Sequence, residues 1–272
     1  MEKYGFKMYE KAENVINTDI LKKDKVTFSV LLRIINNKCN KVFTDGERII
    51  ICYSNAPFPV WVWTKDNVTE DELTRINHCL KAEFAADDGF EYVISYELFD
   101  KLKELDEVYR SMKVHTKLLS YQCDKVIKPN KRCDGKMRQA KQEDYELLVK
   151  YHNALSFEIH NSKFPWEESK RIITNGMTEK ALYVWENDKG EIVATLSRRK
   201  LGDTDSLSMV YTIPSERRKG YAQNLVYNIT KMIMEEGMLP TLYTDADYSA
   251  SNACYKKLGY IEVGSLCTIG NS

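Results

Sequence analysis

The chain has 272 residues, 43% of them hydrophobic, and its 40 basic side chains balance its 40 acidic ones. This hydrophobic fraction excludes a disordered chain and allows a packed core. Domains typically span roughly 100–150 residues, so the length predicts two domains. A net charge of zero argues against a nucleic-acid binder that relies on a strong basic field.

The cysteines and histidines predict neither a disulfide framework nor a metal site. The seven cysteines are odd in number and form no CxxC pair, and the four histidines form no HExxH motif. No apolar run approaches the ~18 residues of a membrane-spanning helix, and the first residues lack the apolar core of a secretory signal. We therefore expect a cytoplasmic protein, monomeric or homodimeric, with reduced thiols, no metal and no membrane association.

The first half of the chain mixes helix and strand signals. Thr69 and Glu72 form a capping-box pattern at the start of a helix that carries Leu73, Ile76 and Leu80 on one face. Apolar spacing predicts further helices at residues 29–35 and 96–108. Strands are predicted where β-branched and aromatic residues cluster, at residues 48–53, 60–64, 92–95 and 118–123.

A polar segment separates this half from the next. Residues 124–135 include Pro129 and Gly135 and have the composition of a linker. We therefore predict an N-terminal α/β domain at residues 1–125 and a second domain at residues 126–272.

The second half shows clearer periodicity. The apolar spacing of helices is found at residues 143–152, 165–178, 223–234 and 249–258. Strands are predicted at residues 136–140, 182–185, 192–198, 206–213, 241–244, 260–263 and 265–269. The predicted order is therefore β-α-α-β-β-β-α-β-α-β-β.

A basic loop joins the fourth of these strands to an amphipathic helix. The loop runs from Pro214 to Ala222 and contains Arg217, Arg218, Lys219 and Gly220. A glycine lets the backbone approach a ligand closely, and successive N–H groups with the helix dipole form an anion site suited to a pyrophosphate. By itself the pattern is equally typical of an ordinary helix that begins with solvated basic residues.

The same loop resembles motif A of the GNAT acetyltransferase superfamily. Arg217, Gly220 and Ala222 occupy the three marked positions of R/Q-x-x-G-x-G/A between a strand and a helix. Downstream, the stretch TDADYSASNACYKKLGY resembles motif B, whose marked residues here are Asn252, Tyr255, Gly259 and Tyr260. The resemblance covers roughly residues 136–270. It implies an α/β (α+β) fold with a mixed, mostly antiparallel sheet flanked by helices.

The resemblance also implies a reaction and its residues. An amine would attack acetyl-CoA directly in a ternary complex, without a covalent enzyme intermediate. In the family the strand before the loop bulges, and there a backbone N–H, here of Val210 or Tyr211, would polarise the acetyl oxygen. Tyr255 would protonate the departing thiolate. The residues expected to contact the coenzyme are Tyr211, Thr212, Ile213, Arg217, Arg218, Lys219, Gly220, Tyr221, Ala222, Asn252 and Tyr255.

The sequence leaves the other half of the reaction open. The general base is Asp205, Asp245, Asp247, His160 or ordered water, and the acceptor is a small molecule or amino acid rather than a protein. Aromatic residues that can line its pocket, although most are also suited to a core, are His160, Phe164, Trp166, Tyr183, Trp185, Tyr211 and Tyr243. The N-terminal domain is either a degenerate GNAT-like copy without a phosphate loop or an unrelated α/β domain. The alternative function is a non-catalytic module that binds acyl-CoA.

Overall fold

The computed structural model describes residues 1–10, 18–36, 41–160 and 164–271. Its strands are β1 (Glu2–Lys3), β2 (Phe6–Glu10), β3 (Lys41–Thr44), β4 (Ile49–Tyr53), β5 (Val60–Thr64), β6 (Tyr92–Ile94), β7 (Lys113–Gln122), β8 (Lys136–Gln139), β9 (Leu182–Glu186), β10 (Ile192–Leu201), β11 (Thr204–Thr212), β12 (Leu239–Asp245) and β13 (Ile261–Gly270). Its α-helices are α1 (Ser29–Asn36), α2 (Glu70–Glu83), α3 (Tyr96–Leu105), α4 (Glu107–Ser111), α5 (Tyr145–His160), α6 (Trp166–Thr178), α7 (Tyr221–Glu235) and α8 (Ser249–Lys257).

The chain divides into two compact units. The first consists of Met1–Ser120, Thr244–Tyr248 and Val263–Ser272, and the second of Tyr121–Tyr243 and Ser249–Glu262. This division differs from the single boundary that we predicted at residue 125. The polar segment 124–135 belongs to the second unit, and the end of the chain returns to the first. Composition cannot reveal such a return, because it depends on strand pairing between residues far apart in sequence.

The first unit is built on a sheet with strand order β1-β2-β3-β4-β5-β6-β13-β7. Strands β2 to β5 pair antiparallel in sequence order, β5 and β6 pair parallel, and β6 pairs antiparallel with β13. The strand β4 carries only buried residues from Ile49 to Cys52, and α2 packs its Ile76 and Leu80 into the same core. The β-branched composition of β4 and β5 therefore serves strands in the interior of a sheet.

The second unit has the strand order β12-β11-β10-β9-β8. The pairs β8–β9, β9–β10 and β10–β11 are antiparallel, and β11–β12 is parallel. Helices α5 and α6 cover one face through a core that includes Leu148, Ile173 and Val184. Helix α7 packs against β9, β10 and β11. A mostly antiparallel α/β sheet flanked by helices was predicted for this half, and that prediction is confirmed.

The two units share one topology. In the first, the strands β1 and β2 and the helix α1 precede the antiparallel strands β3, β4 and β5, which are followed by α2 and the parallel strand β6. In the second, a strand and two helices precede the antiparallel strands β9, β10 and β11, which are followed by α7 and the parallel strand β12. Helices α2 and α7 therefore occupy equivalent places, and so do the loops before them.

Two sequence predictions need correction, and three strands were missed. The helix predicted at 96–108 is two helices, because Asp106 leaves the helical conformation and accepts a hydrogen bond from the Val108 N–H at 3.1 Å as the N-cap of α4. The two strands predicted at 260–263 and 265–269 form the single strand β13. Gly264 lies within this strand and does not end it. The position requires glycine because a Cβ there would lie 2.2 Å from the Thr27 hydroxyl oxygen. Strands β1, β2 and β3 were not predicted.

Three further features of the structure concern disulfide bonds, metal sites and membrane-spanning helices. None of the six cysteines that the structure describes forms a disulfide bond. Within the described ranges, no cluster of His, Cys, Asp and Glu is arranged to hold a metal ion. The helices described here are all too short or too polar to span a membrane.

Candidate active site

The strand β11 bulges shortly before it ends. Ser208 pairs with Ser197 of β10, and Tyr211 pairs with Thr195. Between these two pairs, β11 therefore contains one more residue than β10. The bulge lies at Met209, whose φ of +54° is in the left-handed region that residues with side chains seldom occupy. Its side chain packs against the core beneath α5 and α6. This packing holds the backbone in a conformation that the local sequence does not favour.

The same stretch of β11 separates from β12. The parallel pairing runs from Thr204 to Leu207 of β11, opposite Leu239 to Leu242. From Ser208 onward, no strand within the described residues pairs with this edge of β11, so we call it the open edge. An open strand edge can accept an extended ligand through backbone hydrogen bonds.

The hydrogen bonds to β10 decide which N–H groups face this edge. Ile213 donates its N–H to the Val193 carbonyl oxygen at 3.1 Å. Alternate residues of an antiparallel strand bond to the same neighbour, so Tyr211 also directs its N–H toward β10. Thr212, which lies between Tyr211 and Ile213, then directs its N–H toward the opposite edge of β11, where β12 no longer pairs.

The loop after β11 ends at a helix N-terminus without a side-chain cap. Arg218 and Gly220 have φ angles of +64° and +101°, and α7 begins at Tyr221. The N-cap residue Gly220 has no side chain to cap the helix, and the first turn of α7 contains no acidic residue. Its N–H groups and the positive end of the helix dipole therefore form a site for an anion.

The equivalent helix of the first unit is closed to an anion. The Thr69 hydroxyl accepts the Glu72 N–H of α2, and the Glu72 carboxylate accepts the Thr69 N–H at 2.8 Å. Burial opposes its charge, but hydrogen bonds from Arg48 and Thr69 hold the pKa of Glu72 below its ordinary value. Glu70 and Asp71 add two more carboxyl groups to that turn. In the first unit, protein carboxylates therefore occupy the place that α7 leaves open.

Two of the three basic side chains of the loop are paired with carboxylates. Arg217 donates two hydrogen bonds to Glu158 of α5, at 2.7 and 2.8 Å, and one to the Thr212 carbonyl oxygen at 3.0 Å. Its guanidinium also lies over the Tyr211 ring, 5.7 Å from the centroid. Lys219 pairs with Glu216 at 2.8 Å. Arg217 thus attaches the end of β11 to α5, a role that the sequence motif does not reveal.

The segment predicted to be a linker supplies another cation to this loop. The ammonium of Lys131 donates to the Arg218 carbonyl oxygen at 3.1 Å, and its side chain packs beside Gly220. Asn224 of α7 bonds to the carbonyl oxygens of Lys131 and Gly220, at 2.9 and 3.0 Å. The Tyr221 hydroxyl bonds to the Asp134 carboxylate. Sequence reasoning missed Lys131, because residues 124–135 were interpreted as a polar linker.

The helix α8 carries the two remaining residues of the predicted site. Asn252 and Tyr255 are both buried, and the Tyr121 hydroxyl donates to the Asn252 side-chain oxygen at 3.5 Å. Burial raises the pKa of Tyr255, so its phenol is uncharged at neutral pH. The ring packs against that of Tyr260 at 6.0 Å, and the Tyr260 and Thr230 hydroxyls, 2.7 Å apart, join this cluster to α7.

Comparison with known proteins gives one family-model match and several similar structures. Residues 181–268 match the model described as FR47-like protein. An acetyltransferase of the GNAT family from Colwellia psychrerythraea is 13% identical, with a TM-score of 0.60 over 98% of this chain and 100% of that one. A GCN5-related N-acetyltransferase from Sphaerobacter thermophilus is 12% identical, with a TM-score of 0.71 over 99% and 96% of the two chains. One from Kribbella flavida is 17% identical, with a TM-score of 0.56 over 82% and 86%. A search of curated proteins finds no match.

The chain has the GNAT fold. The sequence resemblance rested on residues 136–270 alone, whereas the structural matches from Colwellia and Sphaerobacter extend over both units. At identities of 12 to 17%, the three similar structures establish the fold alone. The reaction has to be argued from the residues of the site.

Within this GNAT fold, Asp205 has a structural environment instead of a catalytic one. It is fully buried at the start of β11 and accepts a hydrogen bond from Arg198 Nε at 2.7 Å. Arg198 also donates two hydrogen bonds of 2.8 Å to Glu236. Burial disfavours the charge of Arg198, but its bonds to Glu236 and Asp205 raise its pKa. Burial raises the pKa of Asp205 against the opposing effect of Arg198, and its Oδ1 has no hydrogen-bond partner among the described residues. The pairing with Arg198 gives Asp205 a structural role at the start of β11.

We expect Arg198→Met to lower the free energy of unfolding by about 3–5 kcal/mol, because it leaves the buried Asp205 carboxylate unpaired. The neighbouring Arg199 is the matched control. It pairs with Glu179 at 3.7 Å and is partly exposed, so Arg199→Met should cost less than about 1 kcal/mol. Urea unfolding of both variants measures the difference. Equal losses would contradict the buried pairing.

The structure assigns no general base among the other candidates. Asp245 and Asp247 belong to the first unit, where Asp247 pairs with Lys117 at 3.2 Å. The side chain of His160 lies outside the described part of the chain. His152 is buried and within 2.9 Å of the Ser169 hydroxyl, and burial lowers its pKa to about 4.

A cavity of about 820 Å³ opens beside the end of β11. Its walls come from α5, the start of α6 and the loop after β11, and they include Phe164, Trp166 and Tyr211 of the aromatic residues predicted for an acceptor pocket. Trp185 does not line it. That side chain is buried and donates its indole N–H to the Asp134 carbonyl oxygen at 2.7 Å. Tyr183 and Tyr243 are also absent from the lining.

Proposed function

We propose that the second unit is an N-acetyltransferase that moves an acetyl group from acetyl-CoA to the primary amine of a small molecule or amino acid. One observation carries the proposal. The uncapped, acid-free N-terminus of α7 follows directly on the bulged and open end of β11. An anion site and a strand edge in this succession suit a ligand with a pyrophosphate and an extended, amide-bearing arm.

The open edge of β11 would bind the arm and the acetyl group. Thr212 offers an N–H to the pantetheine amides, and its buried hydroxyl has no protein partner among the described residues. Ile213 already uses its N–H on Val193, so it can contribute only its carbonyl oxygen. Of the two N–H groups considered for the acetyl oxygen, Val210 is favoured over Tyr211 because Tyr211 directs its N–H toward β10.

The loop would bind the pyrophosphate through the N–H groups of residues 218 to 222. Arg218 is exposed and makes no ion pair within the described residues, and Lys131 stands against Gly220, so these two supply the positive charge. Arg217 and Lys219 contribute less charge, because Glu158 and Glu216 already neutralise them. Arg217 would act by holding the end of β11 in place.

Catalysis would proceed by direct attack. The amine nitrogen forms a bond to the thioester carbon, the oxyanion is stabilised by the Val210 N–H, and the carbon–sulfur bond then breaks. The amine loses a proton to water, and the thiolate receives one from Tyr255, which water reprotonates. A thiol has a pKa near ~8.5. Burial raises the pKa of Tyr255 further above that of the thiol, so proton transfer is uphill and the phenol first donates a hydrogen bond to the departing sulfur.

The first unit would be a degenerate, non-catalytic GNAT-like copy. It shares the topology of the second unit, but the helix that corresponds to α7 is closed by Thr69 and Glu72. We therefore expect one acetyl-CoA per chain. A calorimetric titration that found two sites would contradict this assignment.

The activity is tested by titration with acetyl-CoA, followed by a panel of amines with mass detection of the acetylated product. We expect tight coenzyme binding and turnover of at least one amine. Tight binding without product from any amine would support a non-catalytic acyl-CoA-binding module. The absence of coenzyme binding would refute both functions.

We expect Lys131→Met to raise the dissociation constant of acetyl-CoA about 5- to 10-fold, and the effect should shrink as salt screens the charge. Binding of acetyl-pantetheine, which lacks the pyrophosphate, should not change. Lys128→Met is the matched control, since Lys128 is an exposed lysine of the same segment with no ion pair in the described part of the chain. If Lys131→Met weakened both ligands equally, Lys131 would not face the pyrophosphate.

A further inference from the structure

The cavity beside the end of β11 has an unusually apolar lining for a surface feature. Phe157 and Trp166 line it and are 50% and 41% exposed. Ala154, Phe164 and Tyr211 complete the apolar part of the wall. Aromatic faces left open around a concave site of this size are typical of a ligand pocket.

Of the described charged side chains that line the cavity, only one is available to bind a ligand. Glu158 already binds Arg217 through both carboxylate oxygens. Asn153 donates its amide to the Phe164 carbonyl oxygen at 3.0 Å. Lys150 is exposed on the same face of α5 and forms no ion pair with any described residue. The lining therefore offers an apolar surface and one available positive charge.

The cavity also reaches the reacting end of the proposed coenzyme site. Tyr211 lines it and follows Val210, the residue favoured to polarise the acetyl oxygen. The Tyr211 ring contacts that of Tyr151, which is next to Lys150 on α5, at a centroid distance of 5.4 Å. An amine placed at the acetyl carbon would thus have an apolar wall and an ammonium group within the dimensions of a small molecule.

We infer that the acceptor is a free amino acid with an aromatic or large aliphatic side chain, which fills this cavity while its carboxylate pairs with Lys150. The inference rests on the proposed acetyl transfer and specifies its substrate class. A polyamine does not fit, because its positive charges would meet Lys150 and find the Glu158 carboxylate already occupied. A residue within a peptide lacks the carboxylate.

The test compares acceptors that differ in one group, at saturating acetyl-CoA. L-Phenylalanine should exceed glycine in kcat/KM by roughly 30-fold or more, because burial of the side chain in the apolar cavity adds to binding. Ala154→Trp should reduce this preference at least 10-fold with an unchanged dissociation constant for acetyl-CoA. A preference that survived the larger side chain would place the acceptor elsewhere.

The role of Lys150 is tested by a ratio that cancels the intrinsic reactivity of each amine. Lys150→Met should lower the kcat/KM ratio of L-phenylalanine to L-phenylalaninamide about 10-fold, whereas Lys150→Arg should preserve it. Lys189→Met, in the exposed turn between β9 and β10, should leave the ratio unchanged. A ratio that Lys150→Met did not alter would overturn the carboxylate assignment.

The two levels of the proposal fail differently. If acetyl-CoA does not bind, or if no amine is acetylated, the proposed function itself is wrong. If amines are acetylated but glycine or spermidine equals L-phenylalanine, acetyl transfer stands and the inferred acceptor class is overturned.

Discussion

Replacement of Gly220 by glutamate should abolish coenzyme binding, with a rise of at least 100-fold in the dissociation constant of acetyl-CoA. Gly220 is the N-cap of α7, at φ +101°, where its backbone faces the open anion site. A glutamate there would add a carboxylate to the positive end of the helix and repel the pyrophosphate. It would give α7 the acidic character that closes α2 in the first unit. Isothermal titration calorimetry measures the loss.

The fold should survive this substitution. A Cβ at Gly220 would meet the Asn224 amide nitrogen at 3.5 Å and the Lys131 side chain at 3.6 Å, which are ordinary contacts. The left-handed backbone adds roughly 1–2 kcal/mol of strain. Gly190→Glu is the matched control, because Gly190 has φ +79° in an open turn with no atom near its Cβ position. It should lose similar stability and keep full coenzyme affinity. Unchanged affinity in Gly220→Glu would remove the loop from the site.

The substitution Tyr255→Phe should lower kcat about 100-fold while the dissociation constant of acetyl-CoA changes less than about 3-fold. The hydroxyl is proposed to act only as the thiolate departs, and general acids contribute rate factors of roughly 10²–10⁴. The ring, which packs on Tyr260, remains in place. Single-turnover measurement of product formation separates this step from product release.

The control for Tyr255→Phe is Tyr260→Phe in the same cluster. The Tyr260 hydroxyl is within 2.7 Å of the Thr230 hydroxyl, so its removal should reduce stability by about 1 kcal/mol with little change in kcat. If the two variants had the same kcat, Tyr255 would not be the acid. Departure of the thiolate would then need no protein donor.

Local patterns in the sequence accounted for most elements of the fold. The helix from Thr69 was predicted from its capping box, and the structure contains that box with both hydrogen bonds. Buried apolar runs such as β4 and β5 were predicted because burial selects β-branched and aromatic residues. Strands β1 to β3 were missed, since short strands carry too few residues to establish a period of two.

The site could be predicted from the sequence only where a particular residue type, such as glycine, indicates an unusual backbone conformation. Gly220 signals a left-handed position before a helix, so the loop was found. The bulge at Met209 carries no such mark, because tertiary packing and not a glycine holds its backbone. The contacts of Lys131 with the loop and of Glu158 with Arg217 join residues at least 59 positions apart. No periodicity within a segment encodes pairings of that range.

The return of β13 to the first unit also has a consequence for synthesis on the ribosome. The first unit begins to emerge early, but the strand that belongs between β6 and β7 is translated only after the whole second unit. Until then β6 and β7 expose unpaired backbone edges, the kind of surface that invites misassembly with neighbouring chains. The nascent protein therefore passes through a long interval in which chaperone protection matters most for the half that was made first.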